Sequence, residues 1–127
     1  MRLWHQLLIE KLPRQQLLGQ HRECAALRGN GWGRRHAIVN YVFTHDPSYL
    51  VAYHYLIMNE MKQRGYHPDE TWYNVEWRGS TVGRVGGWAR AEDVELLVKN
   101  GNIIFPEHND AYYVECVENL QAKGITI

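Results

Sequence analysis

Pro13-Arg14-Gln15-Gln16-Leu17-Leu18-Gly19-Gln20-His21-Arg22-Glu23-Cys24-Ala25-Ala26-Leu27-Arg28-Gly29 is the stretch on which the fold turns. A proline can occupy the first helical position, because the N–H it lacks would go unpaired there anyway. A glycine following Arg28 stops a helix. Between them the spacing predicts a helix over 13–28. At 100° per residue, Leu17, Leu18, Cys24 and Ala25 share one side, and Gln15, Gln16, Gly19, Arg22, Glu23 and Ala26 share the other. Gly19 stands one turn before Glu23 and Ala26 one turn after it. Glycine inside a helix costs about 1 kcal/mol relative to alanine, so its presence calls for a reason. One reason is that small neighbours clear space over the carboxylate. Close packing of another segment against the small residues is the other, and on pattern alone the stronger.

Working outward, the remaining punctuation is also helical. Asp46-Pro47 reads as an N-cap followed by a first-turn proline, opening a helix through Tyr49, Leu50, Tyr53, Ile57 and Met61 to Gly65. A third helix is expected from about Glu92 to Lys99, ending at Asn100-Gly101. A fourth follows Asn109, carries Tyr113, Cys116, Val117 and Leu120, and stops at Gly124. Residues 36–43 fit a helix or a buried strand. Residues 66–90, rich in glycine, tryptophan and polar groups, read as a long ordered loop of a kind that often carries function. The expected fold is therefore mainly α: one compact domain over 1–127 of about four helices, with one long loop.

Composition excludes several classes. The 127 residues are 45% hydrophobic and 22% charged, within the ordinary globular range. No apolar run approaches a membrane span. The first residues lack a signal-peptide pattern, and a cytoplasmic location is expected. Cys24 and Cys116 form no motif and read as free thiols. Seven histidines show no HExxH spacing, so no metal site and no cofactor are expected. The net charge is zero but uneven. Residues 1–36 hold seven Lys/Arg against two acids, and residues 37–127 hold seven against twelve. The imbalance points to one anion-facing surface, unless the two parts neutralise each other across the fold.

The sharpest chemical reading joins Glu23 to the α-amine of Met1. An α-amine has a pKa near 7.7–8.0, so a useful fraction is an uncharged nucleophile at neutral pH. A carboxylate beside it can move protons for the imine that such an amine forms. Downstream, Arg28-Gly29-Asn30-Gly31-Trp32-Gly33-Arg34-Arg35-His36 offers flexible backbone N–H groups flanked by cations. Trp32 fits either a base-stacking or wedging role or a half-buried packing role.

Residues 1–65 resemble the pyrimidine-dimer DNA glycosylase/AP lyase family, small all-helical endonucleases that nick ultraviolet-damaged DNA. The resemblance rests on Arg2-Leu3, on Gln15-Gln16-Leu17-Leu18-Gly19-Gln20-His21-Arg22-Glu23, and on Met61-Lys62-Gln63-Arg64-Gly65-Tyr66. The Leu12-Pro13-Arg14-Gln15 and Leu27–Gly33 blocks resemble an uncharacterised bacterial branch of that family. The resemblance implies an enzyme of DNA repair. Its N-terminal α-amine would attack C1′ of the damaged nucleotide, and a helix glutamate would assist glycosylase and β-elimination steps without metal or cofactor. Carried over, the nucleophile falls on Met1, the glutamate on Glu23, and DNA-contacting arginines on Arg2 and Arg22. Arg14, Arg28, Arg34 and Arg35 are candidate flanking contacts, and Trp32 a candidate wedge. The implied partner is damaged double-stranded DNA, bound by a monomer. The chain departs from the family in several places. Gln16 stands where the family has histidine, Ala26 where it has a second helix arginine, and only Tyr112-Tyr113 answers to its aromatic C-terminal tail. The alternative is a non-catalytic helical module that keeps the scaffold and binds a protein, a small ligand or undamaged nucleic acid.

Overall fold

The computed structural model of the chain describes residues 2–127; Met1 lies outside them. Four α-helices form the body: α1 (Arg14–Arg28), α2 (Pro47–Gln63), α3 (Ala91–Lys99) and α4 (Asp110–Ala122). Three 3-10 turns, Gln6–Lys11, Asn40–Thr44 and Glu70–Tyr73, join them, and the described residues contain no strand.

Helix α2 is the centre of the core. Asp46 caps it by accepting from the Ser48 N–H, and Pro47 occupies its first turn, as the sequence predicts. Leu50, Val51, Ala52, Tyr53, His54, Ile57 and Met58 are all fully buried, so three sides of this helix face protein. Its neighbours α1 and α3 pack on it directly. Helix α4 is capped by Asn109, whose side chain accepts from the Tyr112 N–H. It lays Cys116 and Leu120 into the same core.

Several sequence expectations are corrected. Pro13 is the N-cap of α1 rather than its first helical residue, and it contributes no side-chain cap. Residues 36–43 are not a strand: 37–39 form a turn and 40–43 belong to the 3-10 helix Asn40–Thr44, so the helical alternative is met in part. The 3-10 turn Gln6–Lys11 was not signalled by periodicity, because six residues are too few to display a period.

The long loop is ordered by one buried charge. Arg28, at the end of α1, donates to the carbonyls of Trp72, Asn74 and Trp77, each at 2.8 Å. Its guanidinium also lies 5.0 Å from the centre of the Trp72 ring. Arg78 returns the contact, donating to the carbonyls of Arg28 and Gly29. Gly29 is required by this approach: a Cβ there would sit 2.8 Å from the Arg78 carbonyl oxygen. Cys24 and Cys116 are buried and unbridged. No helix among the described residues is long and apolar enough to cross a membrane.

Candidate active site

The N-terminal segment is the element that the fold works hardest to hold. Leu3, Trp4 and His5 are buried although residues 2–5 belong to no helix or strand. Such a segment must find its hydrogen bonds elsewhere. Three successive carbonyls find them on three helices. Gln20 of α1 donates to the Arg2 carbonyl at 2.9 Å, Tyr112 of α4 to Leu3 at 2.6 Å, and Tyr53 of α2 to Trp4 at 2.6 Å. The Gln20 Oε1 also accepts the Trp4 N–H at 2.6 Å and has the Tyr53 hydroxyl at 2.9 Å. Arg2 continues from this anchored backbone with its guanidinium against Glu115, at 2.9 Å, and over the rings of Trp4 and Tyr112.

Beside this segment lies a pocket of about 360 Å³, lined among others by Arg2, Gly19, Gln20, Glu23 and Lys123. Gln16, Gly19, Gln20 and Glu23 reach it from successive turns of α1, as i, i+3, i+4 and i+7 positions must. Gly19 does clear space here: a Cβ on it would meet only Nη2 of Arg22, at 3.7 Å. The close-packing reading of the small residue is therefore not the one realised.

Glu23 is the acidic group that lines the pocket. Its Oε1 is buried from solvent and has no hydrogen-bond partner among the described residues. Leaving a carboxylate oxygen in that state costs free energy, which native proteins ordinarily avoid. Burial raises the Glu23 carboxyl above its ordinary value, and neighbouring positive charge, His36 included, offsets this only in part. A carboxyl shifted toward neutrality can both hold and release a proton under working conditions. Cys24, next to it, faces the core instead, and burial pushes its thiol up, which keeps it protonated and inert.

The remaining candidates separate into two groups. Arg14, Arg22, Arg34 and Arg35 are exposed, and none pairs with a carboxylate among the described residues. Four of the seven later cations behave differently: Lys62, Arg64, Arg84 and Arg90 pair with Glu70, Glu60, Glu76 and Glu92. Of the early arginines only Arg2 meets an acid, so the two parts of the chain do not cancel across the fold. Arg28 and Trp32 are corrections. Arg28 is fully buried and spent on loop carbonyls, which leaves it no surface to offer DNA. Trp32 packs edge-on against Phe43 and Trp88 at 5.1 and 5.3 Å, so its half-exposed ring is committed to the fold and not free to wedge. Tyr112 and Tyr113 also turn inward, the first onto Leu3 and the second edge-on to His5. Met1, the expected nucleophile, lies outside the described residues.

Sequence reasoning missed Gln20, Asn119 and Lys123. The first had a signal, one turn from Glu23. The others come from the far end of the chain and had none. Among the described residues no cluster of three or more His, Cys, Asp or Glu could hold a metal.

The model of the pyrimidine dimer DNA glycosylase family matches residues 1–74, more than half of the chain. The matched span contains the anchored N-terminal segment, all of α1 with Glu23, and all of α2. Neither the curated proteins nor the solved structures give a match. The chain belongs to the pyrimidine dimer DNA glycosylase family.

Proposed function

We propose that this member of a DNA glycosylase family removes a damaged base and nicks the strand through an imine on its own N-terminal α-amine. The observation that carries the proposal is Glu23, which lines the pocket together with Arg2, the residue next to that amine, and holds one carboxyl oxygen, Oε1, buried and without a partner among the described residues. Arg2 itself lines the pocket and follows Met1 directly in the chain, which supports the reading.

The chemistry follows in order. The neutral amine attacks C1′, the N-glycosidic bond breaks, and its electron pair leaves with the base. Positive charge developing at C1′ is met by the ionised form of Glu23. The sugar ring opens to the imine, its O4′ taking up a proton. Glu23 is then placed to accept the C2′ proton, and the electrons expel the 3′-phosphate oxygen, which breaks the strand. Hydrolysis of the remaining imine frees the amine. Arg2 and Lys123 at the pocket, with the unpaired Arg14, Arg22, Arg34 and Arg35, supply the charge that holds a DNA backbone, so affinity falls as salt rises. Reaching C1′ requires a kinked or flipped nucleotide.

Borohydride trapping tests this directly. Untagged protein is incubated with duplex DNA bearing an abasic site, and the reduced adduct is mapped by mass. An adduct on the Met1 amine is expected. No adduct at low salt, with Met1 intact, would replace this reading by that of a non-catalytic helical module, for which the zero net charge speaks.

A further inference from the structure

We infer that Gln20, Tyr53 and Tyr112 are positioning residues: a three-helix clamp that fixes the register of the N-terminal segment and so delivers the α-amine to Glu23. The inference rests on the imine reading and adds to it the device that makes an ordinary chain terminus a catalytic group.

Chain termini are usually the least ordered part of a domain. A nucleophile on one would sample many positions, and effective catalysis needs reacting atoms held about 3–3.5 Å apart. Here the segment gains no order from secondary structure, yet every carbonyl from Arg2 to Trp4 is bound by a side chain. Gln20 is the centre of the device. Its amide grips the backbone at two points two residues apart, donating to the Arg2 carbonyl and accepting the Trp4 N–H. That is the pattern of an adjacent strand, supplied by one side chain. The Trp4 N–H, which can only donate, and the Arg2 carbonyl, which can only accept, fix which end of the amide is oxygen. Gln20 is buried, one turn from Glu23 on the same helix, and both line the pocket. One rigid element therefore carries the carboxyl and sets the register of the chain that bears the amine. A slip of the segment by one residue would move the amine by about 3.3 Å. It would also turn the neighbouring side chains to the opposite face.

Three untagged proteins distinguish a clamp from simple core packing: the parent, Gln20→Ala, and Tyr112→Phe. The last keeps the ring beneath Arg2 and removes only the hydroxyl. Each is assayed for the single-turnover rate of borohydride-trapped adduct on an abasic duplex. Each is also assayed for affinity toward a duplex carrying the unreactive tetrahydrofuran analogue, and for its circular dichroism. The expected result for Gln20→Ala is a trapping rate lower by about 100-fold with analogue affinity within about twofold of the parent. Tyr112→Phe should slow trapping about tenfold with the same affinity. Both variants trapping at the parent rate would overturn the clamp while leaving the imine mechanism standing. Equal losses of affinity and rate, or unfolding of both variants, would make the contacts ordinary core and overturn it as well. A parent that forms no adduct would instead bring down the imine reading on which the clamp depends.

Discussion

Glu23 and Arg28 stand five residues apart on α1, both charged and both turned into the protein, and burial meets them in opposite ways. Both terminal nitrogens of Arg28 reach acceptors, three loop carbonyls and His54 Nδ1 at 3.1 Å, with the face of Trp72 alongside; its Nε, also buried, has no partner among the described residues. Because the guanidinium can only donate, His54 Nδ1 accepts, and its Nε2–H is left to donate to His21 Nδ1 at 2.7 Å. Burial lowers the Arg28 guanidinium only to about 10, so it stays charged at neutral pH. Glu23 has no such shell: it lines the pocket, and its buried Oε1 has no partner among the described residues. The contrast separates structure from function on a single helix. A buried charge whose terminal donors are met organises the chain around it, whereas Glu23 organises nothing and keeps one oxygen without a partner among the described residues.

The largest effect that would break this contrast is expected at Glu23. Glu23→Gln should reduce strand nicking by about 100- to 10,000-fold, the range of a lost general acid–base group. Its unfolding midpoint should be unchanged or higher, because a neutral amide removes a desolvated charge. Nicking within threefold of the parent would show that the open carboxyl is not catalytic.

Arg28→Met should do the reverse. Three carbonyls lose their donor and the long loop loses its anchor, so unfolding in denaturant should show a loss of about 3 kcal/mol or more. The fraction that remains folded should keep its trapping rate. A rate that collapses while stability holds would place Arg28 in the site after all.

Acid sharpens the structural half of the comparison. His5, His54 and His108 are buried, and burial lowers all three, His108 to about 3. In the unfolded chain a histidine titrates near 6.5, so on the acid side the unfolded state binds more protons. The stabilisation these groups give is complete above about pH 6.5 and is lost as pH falls toward 3. Denaturant titrations at pH 7, 5 and 4 should show falling stability, and a flat profile would mean that these rings are protonated within the fold.

The smallest effect lies at Gly19. Gly19→Ala should stabilise the protein by about 1 kcal/mol, since the added methyl meets only Nη2 of Arg22 and relieves the helix of a glycine. Gly19→Leu should fold as well, yet fill the space over Glu23 and slow trapping. If the leucine variant unfolds, the space is core rather than pocket.

Much of this was legible in the chain. Caps and stops placed the four helices to within a residue or two, because Asp46, Asn109 and Gly29 act on the backbone beside them. Gly19 and Glu23 could be put on one face because helical geometry depends only on spacing. The fate of the neighbouring arginines could not be read this way. Arg22 and Arg28 look alike in sequence, and what separates them is whether residues 72–77 bring carbonyls to the side chain. Trp32 was equally ambiguous, since its packing partners Phe43 and Trp88 lie 11 and 56 positions away.

By itself, then, the sequence determined the helices and the placing of Gly19 and Glu23 on one helix face. It also determined the charge imbalance between residues 1–36 and the rest. Tertiary structure alone decided which charges are saturated and where the first residues run. Gln20 meets Arg2 across 18 positions, and Tyr112 meets Leu3 across 109. Local periodicity reports only the angle of a side chain about its own helix axis. A clamp drawn from three helices exists only once their packing has fixed all three axes together.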